Sequence, residues 1–85
     1  MHVNNILNED WSYYDHKKSS EGKDILNFDC SEPWEVDYLA TIIEKLYPEY
    51  DETIIRAAIA RCCKMAGTPS PRPNFVACVA SKLWF

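Results

Sequence analysis

The chain has 85 residues, 47% of them hydrophobic and 26% charged, with a formal net charge of −4. That length allows one domain with a modest core, and the balance of apolar and charged residues excludes global disorder. Two glycines against a helical pattern through the second half argue against a large all-β fold.

Charge is unevenly placed. Residues 1–30 carry three lysines against six acids, residues 31–51 carry Lys45 against six acids, and residues 52–85 carry five basic residues against Glu52. The simplest consequence is attraction between the acidic and basic parts within one monomer. The first residues show neither the basic nor the apolar region of a secretory leader. The longest apolar run, Phe75 to Ala80, falls well short of the ~20 residues that cross a bilayer. A cytoplasmic protein without membrane contact is therefore expected. Its four cysteines, Cys30, Cys62, Cys63 and Cys78, are expected as free thiols. Cys62 and Cys63 are neighbours that rarely bond each other, and Cys62 falls among Ile59 and Ala66, where a thiol acts as a small hydrophobe.

In chain order, residues 1–10 are polar and read as a loosely held end. Residues 11–30 allow three readings. Trp11, Tyr13 and Tyr14 form an aromatic knot, Ser19-Ser20-Glu21-Gly22 is a turn signal, and Leu26, Phe28 and Cys30 alternate with Asn27 and Asp29. A β-hairpin from Trp11 to Cys30, an irregular arm, and a short helix from Asn8 to His16 all satisfy this pattern.

A helix is predicted over 33–47, with Ser31 as N-cap, Pro33 in the first turn and Pro48 as terminator. Val36, Leu39, Ile42, Ile43 and Leu46 share its apolar face, and Asp37, Thr41, Glu44 and Lys45 the solvated one. Trp34, Tyr38 and Ile42 form a ridge along the border. A second helix is predicted over 52–66, opened by Asp51 and closed by Gly67, with Ile54, Ile55, Ala58, Ile59, Cys62, Met65 and Ala66 as one broad apolar face. Pro69, Pro71 and Pro73 make a stiff connector with no P-x-x-P spacing. Asn74 then opens a third helix over 74–84, which buries Phe75, Val76, Val79, Ala80 and Leu83 and turns Cys78 and Lys82 outward. The expected architecture is mainly α: a single domain with an N-terminal arm or short β-hairpin at 1–30 and a three-helix bundle at 31–85.

Few of these residues point to chemistry. The two histidines and four cysteines have no metal-ligand spacing, and no Gly-rich phosphate loop is present. Cys78 with His16 and Asp15 is the only nucleophile set to weigh, and nothing in the spacing brings them together. Neither catalysis nor a cofactor is expected. Two surfaces remain. Trp34, Tyr38, Trp84 and Phe85 are candidate protein-binding residues, for another protein or for a second copy in a homodimer. Arg56, Arg61, Lys64, Arg72 and Lys82 are candidates for phosphate contact in an alternative, helix-turn-helix-like reading. That alternative is the weaker, because the turn lacks glycine and the preceding helix is strongly acidic.

Asn27, Asp29, Glu35-Val36, Tyr38, Ile55-Arg56-Ala57-Ala58, Gly67 and the Val79-to-Leu83 segment, in this order, resemble a short bacterial family of uncharacterised three-helix proteins. That family has an Asn/Asp start, an E-V-x-Y-W segment, an L-R-x-A-V helix ending in Gly and a final V-x-x-x-L helix. The resemblance spans Ile25 to Leu83; Leu39 stands where the family has Trp, and the turns here are longer. It implies a helical fold and no known activity.

Overall fold

The structure, a computed structural model, describes residues 3–67 and 69–83. The described residues form five helices and two short strands: α1 (Val3–Leu7), α2 (Ser12–Ser20), β1 (Asn27–Phe28), α3 (Pro33–Leu46), α4 (Glu52–Ala66), β2 (Ser70–Pro71) and α5 (Arg72–Leu83). The mainly α expectation holds. Of the three readings of residues 11–30 the structure shows the helix, at Ser12–Ser20 rather than Asn8–His16, and neither the hairpin nor the irregular arm.

Residues 11–30 do not form a β-hairpin. Trp11, Tyr14 and Lys18 recur at helical spacing and are all buried, so α2 has an inward face. Gly22 is the left-handed residue that ends this helix, with φ 71°. The Gly22 amide donates to the Ser19 carbonyl and the Lys23 amide to the Lys18 carbonyl, the paired bonds of a glycine-terminated helix. The apparent hairpin turn is thus a helix stop. β1 pairs instead with β2, antiparallel, with Asn27 opposite Pro71 and Phe28 opposite Ser70. Period-2 alternation identified the strand at Phe28, but its partner is a segment more than forty residues away.

The three later helices fall close to their predicted positions. Asp51 caps α4 by accepting a hydrogen bond from the Thr53 amide at 2.8 Å, and Gly67 ends the helix at φ 67°. Pro33 occupies the first turn of α3, but Ser31 does not cap it. The Ser31 hydroxyl and amide both donate to Asp29, and Glu32 takes the N-cap position without a side-chain bond. α5 begins two residues earlier than Asn74, since Arg72 follows β2 without a break and Pro73 fits a first turn. Its predicted last residue, Trp84, lies outside the described residues.

α4 packs against α3 and α5, and α1 packs against α5 and α3. One buried cluster joins Ile6, Trp11, Tyr14 and Phe28 to Leu39, Ile43, Ile55, Ile59, Phe75 and Val79. The Phe28 and Phe75 rings stack at 4.3 Å between centroids and connect the two halves. The α4 stripe is narrower than predicted: Ile55, Ala58, Ile59 and Cys62 are buried, while Ile54 and Met65 are 54% and 63% exposed. Two neighbouring helices cover only the centre of the face, so its flanks stay in solvent.

The expectation of free thiols is overturned. Cys30 is bonded to Cys63 and Cys62 to Cys78, and no described cysteine is free. Cys62 and Cys63 diverge on α4, as helix geometry requires, but each direction meets a cysteine from another segment. Cys78 therefore points to α4 and not to solvent. The two bonds tie α4 to α5 and to the segment that enters α3.

Candidate functional site

An open groove of about 450 Å³ lies along the solvent side of α3, between that helix and the segment that joins α1 to α2. α3 contributes Trp34, Asp37, Tyr38, Thr41, Ile42 and Lys45, spaced at three and four residues on one face. Glu9, Asp10 and Tyr13 form the opposite wall. Tyr13, 63% exposed, stacks on Tyr38 with the ring planes 7° apart and 5.9 Å between centroids. The Tyr38 hydroxyl donates to the Asp10 carbonyl at 2.7 Å, which holds the two walls together. Trp34 and Tyr38, both predicted binding residues, therefore share one site. Tyr13 was missed as a member because it belongs to the aromatic knot in sequence and reaches the groove only through the α2 helix.

The rim is acidic. Three carboxylates, Glu9, Asp10 and Asp37, face one ammonium, Lys45, which is bound to Glu9 at 3.0 Å. Asp10 accepts from both the Ser12 hydroxyl and the Ser12 amide, and these bonds hold its carboxyl below the usual carboxylate range. Burial, then the nearby Asp10 charge, raises the Tyr38 phenol, so it stays neutral. The Arg56 guanidinium from α4 reaches Asp37 at 2.7 Å and also contacts Glu52 at 3.1 Å.

Behind the aromatic wall lies a buried polar cluster. Asp37 is exposed, as expected of the solvated face of α3, but Glu35 is 0% exposed and Lys18 of α2 is 2% exposed. Glu35 Oε1 accepts from the Tyr14 hydroxyl at 2.6 Å, from Lys18 Nζ at 3.1 Å and from the Asp29 amide at 3.0 Å. Lys18 Nζ also donates to the Asn27 carbonyl. Burial, then the bond to Glu35, pushes the Tyr14 phenol above its ordinary range. Glu35 Oε2 and Trp34 Nε1 are buried without a hydrogen-bond partner among the described residues. The Tyr14 ring lies 5.6 Å from Tyr38 and 5.2 Å from Trp34, so this cluster supports the groove from within.

The structure disperses the predicted basic residues. Arg72 is drawn inward, with its guanidinium 4.6 Å from the Trp11 ring and 4.7 Å from the Tyr14 ring, paired with Asp15 and donating to the Ile25 carbonyl. Arg56 is engaged by two carboxylates. Arg61 and Lys64 are exposed on α4, and Lys82 is half-buried on α5. Trp84 and Phe85, the other predicted binding residues, lie outside the described residues. Among the described residues no group of three histidine, cysteine or acidic side chains is placed to hold a metal ion. No helix of the described residues is long and apolar enough to cross a membrane.

No family model, curated protein or solved structure matches the chain. The reading of its role rests on the site itself.

Proposed function

We propose that this protein is a non-catalytic interaction module whose groove at Tyr13, Trp34 and Tyr38 receives a segment of another protein. The supporting observation is the Tyr13 ring. It stands 63% exposed, stacked on Tyr38, at the mouth of a groove that also contains Trp34. Aromatic side chains fixed by packing bring large contact area with little entropy left to lose, as interface hot spots do. The groove is rigid in the same sense: Tyr38 is bonded to Asp10, and Tyr14 supports it from behind.

The pairing of all four cysteines favours an oxidising compartment as the place of action. The free thiols expected together with a cytoplasmic location are not observed, since all four cysteines are paired. The nucleic-acid alternative loses two of its five residues, since Arg56 and Arg72 are each held by the chain's own carboxylates.

Selection from a displayed library of short random peptides against the oxidised protein tests the reading. Selected peptides should bind the Tyr13→Ala variant at least roughly tenfold more weakly, with an unchanged melting temperature. Selected peptides that bind wild type and variant equally would refute the groove as the site. Binding of random duplex DNA that weakens with Arg61→Ala and Lys64→Ala but not with Tyr13→Ala would favour the alternative.

A further inference from the structure

Resting on the interaction-module reading, we infer that the groove is built for an arginine side chain presented by an extended segment of its partner protein, with the guanidinium over the Tyr13–Tyr38 rings and against Asp37. Three observations carry this.

The first is charge. The groove has three carboxylates, Glu9, Asp10 and Asp37, against two cations, Lys45 on Glu9 and Arg56 on Asp37, which leaves one negative charge in excess. A cationic partner side chain entering here meets unlike charge, and an acidic one meets like charge beside low-dielectric ring faces.

The second is ring geometry. A planar guanidinium stacks on an aromatic face and bonds a carboxylate in the same plane, which an ammonium cannot do. The Tyr13 and Tyr38 ring planes are nearly parallel and the rings stack on each other, which leaves the outer face of the exposed Tyr13 for a guanidinium, with Asp37 lining the same groove.

The third is that the chain itself uses this arrangement once, in the aromatic cluster behind the groove. Arg72 lies over the Trp11 and Tyr14 rings and pairs with Asp15. Arg56 occupies Asp37 from the α4 side, through Oδ1. The Tyr13–Tyr38 stack has the rings and the acid but no arginine of its own over it among the described residues.

Arg56 is then a competitor for the acid that the partner's arginine needs. This makes a prediction of unusual sign. Removing a positive charge by Arg56→Gln should tighten peptide binding severalfold, and Asp37→Asn should weaken it roughly tenfold.

The experiment is the peptide selection already described, followed by fluorescence anisotropy with the enriched peptides and with their Arg→Gln counterparts. The expected result is enrichment of arginine at one common position, loss of binding in the Arg→Gln peptides, the two opposite effects of Arg56→Gln and Asp37→Asn, and weakening with salt. Melting temperatures of both variants serve as the folding control. Peptides that depend on Tyr13 but bind equally with Arg or Gln would overturn the arginine inference while leaving the interaction groove intact. Peptides that ignore Tyr13 altogether would remove both. Self-association in sedimentation that is lost with Tyr13→Ala would assign the groove to a second copy and overturn the partner-protein inference.

Discussion

The two halves of this molecule are held together by different physics. The half containing α3, α4 and α5 has an aliphatic centre, Leu39, Ile43, Ile55, Ile59, Val76 and Val79, secured by two disulfides. The half containing α1, α2 and β1 attaches through aromatic rings, a buried ion pair and the inserted Arg72. The first kind of contact is non-directional and tolerates small shifts. The second depends on donors and acceptors that must meet within a few tenths of an ångström. The groove lies at the seam between the halves, where Tyr38 of α3 is held to Asp10 and Tyr13 by contacts of the second kind and position is most sharply specified. A binding site gains from that sharpness, because rings held in place need not be ordered on binding.

The comparison is tested most strongly at Glu35. Glu35→Ala leaves Lys18 buried without its counter-charge and should cost about 3–5 kcal/mol in urea denaturation. The double variant Lys18→Met with Glu35→Leu should recover much of that loss, because the uncompensated charge is removed with it. If the single and double variants lose equal stability, the buried pair is not what secures the N-terminal half.

On the aliphatic side, Ile59→Ala should cost about 2–5 kcal/mol, whereas Ile54→Ala, on the same helix but exposed, should change stability by about 0.5 kcal/mol or less. Equal effects would reverse the assignment of the α4 face. The disulfides supply the next test. Replacing Cys62 and Cys78 together by Ala should cost about 2–4 kcal/mol. Freshly purified protein, denatured without reductant, should show no free thiol and a mass four protons below the reduced chain.

The smallest effect expected is pH-dependent and belongs to the polar half. Burial and the Glu35 bond raise the folded-state pKa of Tyr14 above its unfolded value, which lies near about 10. The stability this tyrosine contributes is therefore complete below about pH 10 and is lost as the pH rises further, because the unfolded chain releases the proton first. Denaturation midpoints measured on either side of that pH should fall for wild type and fall less for Tyr14→Phe. An equal fall in both would place the alkaline loss elsewhere, with Tyr38, whose phenol is also raised, as the next residue to replace.

The amphipathic period, a terminal Asp or Pro and a stopping Gly were enough to place α3 and α4 within a residue and α5 within two at its start. These signals are local: they concern residues within a few positions of each other, and burial of an aliphatic stripe requires only that something apolar cover it. They also brought Trp34 and Tyr38 forward, because both lie on one helical ridge. What the tertiary structure alone decided was pairing. Lys18 and Glu35 look like solvent residues until α2 is folded against α3. The two of them then share one buried hydrogen-bond network with Tyr14. The strand at Phe28 gave no sign that Ser70 would be its partner. Adjacent cysteines argued against disulfides until each was matched with a cysteine on another element. Tyr13 became part of the groove only once α2 carried it across to Tyr38. Each of these depends on a specific second residue, far along the chain, arriving at bonding distance, and no periodicity in either segment encodes which one it will be.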